Sequence, residues 1–178
     1  NSWLEQSEKI ITEYFGITAE NTDIEIILED SIPGAAAAYV AATFSGDSLT
    51  KLTLNIDMEE LSSGSLDFPN NSIDQLIAHE MTHAVMDATT NVTSFEKWFM
   101  EGTAVFIPGG DELLKSVLDT PEDPASVTAN IDNLRSTTTW AVTTKNYATA
   151  YAATRYLDDI IGGSGMKDVM EYLAADKS

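Results

Sequence analysis

An α+β fold is predicted by three features of the chain. Alternating apolar and polar residues are confined to a block before residue 60. The remainder carries helical periodicity, and the two kinds of segment do not interleave. The architecture expected is a small mixed N-terminal sheet with an N-terminal helix, followed by a pair of helices bearing a polar motif, then a helical C-terminal lobe. With 178 residues and 43% hydrophobic content, the chain suits one domain, 1–178, with an upper lobe over about 1–90 and a lower one over about 91–178.

The first helix is expected over Trp3–Phe15, where Trp3, Ile10, Ile11, Tyr14 and Phe15 form an apolar stripe and Gly16 supplies the stop. Asp23–Asp30 alternates Ile24, Ile26 and Leu28 against acids, the pattern of a half-buried strand. Ala35–Ser45 and Lys51–Asp57 read as two further strands joined through Gly46-Asp47 as a hairpin. Ser72 and Gln75 have capping-box spacing and start a helix near Ile73; Thr93 and Glu96 repeat the signature for a helix running to Phe106. Pro108-Gly109-Gly110 ends that helix. Helices follow over Asp111–Leu118, Ser126–Leu134, Thr144–Ile161 and Met166–Ala175, with an acid- and proline-containing loop over 119–124 and a stop at Gly162-Gly163.

Composition narrows the chemistry. There are no cysteines, so disulfides and thiolate metal ligands are excluded. A net charge of −20, from nine basic against 29 acidic residues, disfavours nucleic acid, whose phosphates need cations opposite them. No apolar run has the length of a membrane span, and no signal-peptide pattern opens the chain. Asn1 in place of an initiator Met suggests a mature or excised segment.

The chain has only two histidines, His79 and His83, and Glu80 lies between them: His79-Glu80-Met81-Thr82-His83. One helical turn separates the imidazoles, so both leave the same helix face and can converge on one zinc ion, with Glu80 beside them as a base that does not ligate. The bland alternative is an amphipathic helix that happens to carry two histidines. A hydrolytic zinc site takes three protein ligands and keeps a fourth position open. Without further His or Cys, the third ligand must be a carboxylate. Glu101 is the leading candidate: it lies 18 residues after His83, in the apolar run Phe99-Met100-Glu101-Gly102-Thr103-Ala104, where an unpaired buried carboxylate would be costly. Gly102 beside it suits a close helix approach. Glu96, Asp87 and Asp111 are weaker rivals. Calcium is a second cation that the acid content would suit, but no EF-hand-like loop occurs.

Stabilising an oxyanion needs a donor in addition to the metal. Tyr147, Tyr151 and Arg155 recur at one-turn spacing on the long helix, and Tyr151, then Tyr147, is the expected donor; core packing is the competing reading for both, and Tyr156 is expected in the core.

His-Glu-x-x-His followed by Glu-Gly-Thr-Ala on a second helix resembles the gluzincin metallopeptidases, the clan of thermolysin and bacterial collagenase. The runs IAHEMTHAVM, WFMEGTA and NYATAYAATRYLD resemble flagellinolysins, peptidase domains inserted in the variable region of some bacterial flagellins; the likeness covers about residues 70 to 160. It implies a zinc endopeptidase acting on peptide or protein substrates, at the cell surface or outside the cell, and display on a flagellar filament. It also implies an edge strand lining the cleft, mapped to Ala36–Phe44, with Ala37, Ala38, Tyr39 and Val40 as substrate-binding residues. One position departs from the pattern: many gluzincins carry an acid four residues after the ligand glutamate, bonded to a zinc histidine, and here Val105 stands there. Asp87 or a backbone carbonyl would have to serve instead. The other readings are an inactive structural or adhesive domain and a hydrolase or aminopeptidase of small molecules. The sequons at Asn70 and Asn91 read as cap and loop chemistry.

Overall fold

The computed structural model describes residues 2–19, 22–33, 37–46, 48–64, 66, 72–90, 92, 95–118, 124–134 and 140–175. Among these, seven α-helices and three strands give the mixed α+β composition with a helical C-terminal part. The order is α1 (Ser2–Phe15), β1 (Ile24–Glu29), β2 (Ala38–Ser45), β3 (Ser48–Asp57), α2 (Met58–Ser63), α3 (Ile73–Thr89), α4 (Lys97–Phe106), α5 (Asp111–Leu118), α6 (Pro124–Ala129), a 3-10 turn (Asn130–Leu134) and α7 (Thr144–Ala175).

The sheet runs β1-β3-β2, with β1 parallel and β2 antiparallel to β3. β2 and β3 form the expected hairpin, so β3 is central and β2 is left as an edge. Leu52, Leu54 and Ile56 of β3 are buried on the face that meets the helices, and Ala38, Val40 and Ala42 are their partners on β2. Ala38, Leu54 and Ile56 pack with Leu76 of α3, which seats the sheet on that helix. On β1 the anticipated half-buried face is only partly covered: Ile24 packs inward, but Ile26 is 44% and Leu28 63% exposed. β1 is the other edge of the sheet, and the helical layer does not extend over its far end.

Several boundaries move for identifiable reasons. β3 begins at Ser48 rather than Lys51, since the hairpin ladder continues to the turn at Ser45↔Ser48. α2 was not anticipated; Asp57 caps it, accepting from the Glu60 amide at 2.9 Å while its other oxygen accepts from the Ile32 amide at 2.6 Å. Ser72 is the N-cap of α3 as expected, but its side chain bonds Asp74 and makes no cap bond to the helix backbone. α4 starts at Lys97 with Glu96 as its N-cap. Thr93, Ala35, Ala36 and the two sequon asparagines lie outside the described residues, as does the Trp3 side chain. Ile10, assigned to the apolar stripe of α1, sits at its margin and is largely exposed, and Tyr156 is 68% exposed rather than in the core. The expected break near Ile161 is present inside α7 at Gly162, whose φ of 70° and ψ of 171° interrupt the helix.

The principal core joins α1, α3, α4 and the C-terminal half of α7 through Ile11, Phe15, Met81, Val85, Met166 and Met170. It therefore draws on residues from both sides of position 90. A second cluster around Val105, Leu113, Val117 and Tyr151 fastens α5 to α4 and α7. α4 and α7 cross closely at Gly102. A Cβ placed on Gly102 would lie 2.3 Å from the Ala150 carbonyl oxygen and 2.3 Å from Thr154 Oγ1. Only glycine fits.

Gly102→Ala should therefore destabilise the protein by about 3 kcal/mol, toward the upper range for overpacking. For a chain of this size that lowers the melting temperature by roughly 6–12 °C, measurable on metal-free protein. An unchanged melting temperature would mean that α4 and α7 do not approach this closely.

Candidate metal centre

α3 and α4 lie side by side, and the motif residues occupy their facing surfaces. Spacing of one turn brings the two imidazoles together, with His79 Nε2 and His83 Nε2 3.2 Å apart. Glu101 Oε2 of α4 lies 3.5 Å from the first and 3.4 Å from the second. Donors bound to one tetrahedral ion at about 2.0–2.1 Å would stand roughly 3.3–3.4 Å from one another. The three separations match that spacing, and these residues form a group that can hold a metal ion.

The unmet bonding capacity points the same way. Glu101 is only 7% exposed, and its buried Oε2 has no hydrogen-bond partner among the described residues. A buried carboxylate oxygen facing two imidazole nitrogens is expensive unless a proton or a cation lies between them. Burial alone would favour the neutral acid, but the charge of His83 and the close approach of both imidazoles outweigh it and hold Glu101 well below the usual carboxylate range. His83 responds in kind: burial opposes its charge, yet the neighbouring Glu101 and Glu80 carboxylates raise its pKa. His79 Nδ1 is buried and has no hydrogen-bond partner.

Glu80 points from α3 toward the free edge of β2. Its pKa is raised, chiefly by burial, while His79, His83 and the Val40 amide oppose the shift. The Val40 contact follows from the register. The Asp57 amide donates to the Ala37 carbonyl at 2.9 Å, so residues 37, 39 and 41 spend their backbone groups on β3. Those of Ala38, Val40 and Ala42 therefore point outward. Among the described residues no strand pairs with them.

A cleft of about 330 Å³ opens between this edge and α4. Besides His79, His83, Glu101 and Glu80, it is lined by Val40, Tyr39, Asp87, Lys97, Met100 and Tyr147. Tyr147 stands 6.2 Å from His79, ring to ring, and Trp140 packs edge-on against it at 5.2 Å. Burial, reinforced by the Glu101 and Glu80 charges, raises the Tyr147 pKa and keeps the phenol protonated as a donor.

The sequence-predicted residues divide accordingly. His79, Glu80, His83, Glu101, Ala38, Tyr39, Val40 and Tyr147 meet at the cleft. Tyr151 does not. It is buried against Val105 and Leu113, and its hydroxyl donates to Asp111 Oδ1 at 2.7 Å, where Arg155 also binds. The one-turn spacing that relates it to Tyr147 carries it below the cleft, into the α5 contact. Ala37 is half-buried and spends its carbonyl on β3. Of the rival ligands, Glu96 caps α4, Asp111 is engaged by Tyr151 and Arg155, and Asp87 lines the cleft outside the ligand group. Val105 packs into the second core cluster. Lys97 and Trp140 were not singled out in the sequence. The Lys97–Glu101 spacing of four was the available signal, and nothing in the sequence marked Trp140.

No family model matches the chain, and neither a curated protein nor a solved structure does. Among the described residues no helix is long and apolar enough to cross a membrane, and no second group of three metal-ligating side chains occurs.

The metal-free cluster has a definite pH signature. Glu101, depressed below its ordinary 4.5, contributes stability above that value and loses it as the pH falls through its folded pKa. His83, raised above its ordinary 6.5, contributes below that value and loses it as the pH rises through its folded pKa. Both contributions coexist between about pH 4.5 and 6.5. In metal-free protein, Glu101→Gln should cost most stability near pH 5–6 and progressively less above neutrality, read by thermal melts across pH. A difference independent of pH would dismiss the ion pair.

Proposed function

We propose that the protein is a zinc-dependent endopeptidase of gluzincin type, with His79, His83 and Glu101 as metal ligands and Glu80 as general base. The observation that carries this reading is the convergence of three donors, two buried and one half-buried, at the mutual spacing of tetrahedral ligands, with a non-ligating carboxylate beside them. Two imidazoles and one carboxylate are a hydrolytic zinc donor set and leave a position open. A purely structural site has no use for Glu80.

Zinc, when bound, supplies Lewis acidity and brings the pKa of water to about 7. The chain supplies the rest. Glu80, whose pKa burial raises, is suited to accept a proton from the attacking water and return it to the leaving amine. Tyr147, a protonated phenol at the cleft wall, is the candidate donor to the carbonyl oxygen as it gains charge. The unpaired edge of β2 offers the outward backbone groups of Ala38 and Val40 to an extended peptide, which would add as a strand and displace the Val40 amide from Glu80. An open cleft beside an edge strand suits internal segments of a chain better than free amino acids. The flagellinolysin likeness of the motif runs adds a setting to this reading: a proteolytic domain outside the cell or on its surface, carried by a flagellar filament.

Three variants test it together. Glu80→Ala should keep stoichiometric zinc and lose peptide cleavage. Glu101→Ala should weaken zinc binding at least tenfold, by about 1.4 kcal/mol or more. Tyr147→Phe should keep zinc and lower kcat roughly 10²–10³-fold. Zinc content by metal analysis and turnover of a peptide library are the readouts. Wild-type protein that holds zinc but cuts nothing would return the site to a structural role.

A further inference from the structure

We propose that Lys97 is a positioning residue that holds Glu101 in one-oxygen coordination and so keeps the fourth metal position open. This rests on the zinc reading above and extends it to a residue outside the ligand set. Lys97 and Glu101 are four residues apart on α4, and Lys97 Nζ lies 2.6 Å from Glu101 Oε1. The two oxygens of this carboxylate thus have separate fates: Oε1 is bound by the ammonium, while Oε2 faces the two imidazoles and has no hydrogen bond among the described residues.

Coordination chemistry gives that division a consequence. A carboxylate has about four lone-pair sites and can grip a cation through both oxygens. Doing so here would fill the position that a hydrolytic site must leave for water. An ammonium on Oε1 prevents the second bond. It also adds a positive charge within one residue's reach of the site, offsetting the negative charge that Glu101 brings.

Lys97 is itself held. Its side chain is 24% exposed, and Nζ lies 5.9 Å from the centroid of the Trp140 ring. The same indole packs against Tyr147 at 5.2 Å. Trp140 thereby fixes the ammonium from one side and the cleft phenol from the other. Helix spacing, an aromatic floor and a short ion pair all restrict Lys97 to the Oε1 side of the carboxylate.

The test uses the full chain loaded with Co2+, whose visible absorption reports coordination number, and chelator competition for Zn2+. Lys97→Met removes the charge and keeps the stem; Lys97→Arg retains a cationic donor. The expected result for Lys97→Met is weaker visible bands, marking a higher coordination number, and zinc affinity changed by roughly tenfold or more. Lys97→Arg should restore the wild-type spectrum. Lys97→Gln carries the same comparison if circular dichroism shows the methionine variant unfolded. A wild-type spectrum and affinity in the neutral variants would overturn the role of Lys97 and leave the metal site standing. Failure of the wild type to bind Co2+ at all would overturn both.

Discussion

A buried carboxylate must be matched by positive charge, and much of this structure is arranged around meeting that demand at Glu101. Its side chain is only 7% exposed, between α3 and α4, where water solvates it poorly. Lys97 answers one oxygen, and the two imidazoles face the other. The imidazoles could not do so if α3 and α4 were farther apart. The glycine next to Glu101 lets α7 close tightly on the back of α4.

That close packing also explains the division of labour along α7. Tyr147 lies at the end of the helix that reaches the cleft, and Tyr151, one turn on, is enclosed by Val105, Leu113 and Val117. The two tyrosines are nearly equivalent in one dimension. In space, α5 packs against Tyr151 and turns it into an anchor through Asp111. Val105 belongs to the same enclosure. A carboxylate there would face an apolar cluster, and the position contributes packing instead of a bond to a histidine.

On the opposite wall of the cleft, the sheet contributes backbone more than side chains. The antiparallel register gives alternate residues of β2 to β3 and leaves Ala38 and Val40 facing outward. Glu80 bonds into that edge through the Val40 amide, so the proposed base and the proposed peptide rail are already in contact. A peptide entering there would compete directly with Glu80 for the same amide. In the proposed reading, binding and the freeing of the base would be coupled by this one hydrogen bond.

The sequence by itself determined the features that depend on local periodicity. A four-residue spacing fixes His79 and His83 on one helix face, whatever surrounds them. Alternation identified β1 and β3, a small-residue segment before the Gly46 turn identified β2, and Gly162 interrupts the last helix where its sequence predicted a stop. The choice of Glu101 over other acids was also legible, because an acid in so apolar a run has few inexpensive environments. Only the tertiary structure decided which β-strand lies at the centre, which of two evenly spaced tyrosines reaches the cleft, and which alanines offer free backbone. It also brought in Trp140, whose role depends on a chain path rather than a motif. Those outcomes are set by contacts between segments far apart in the chain, where crossing distance and register, rather than residue type, determine what each side chain meets.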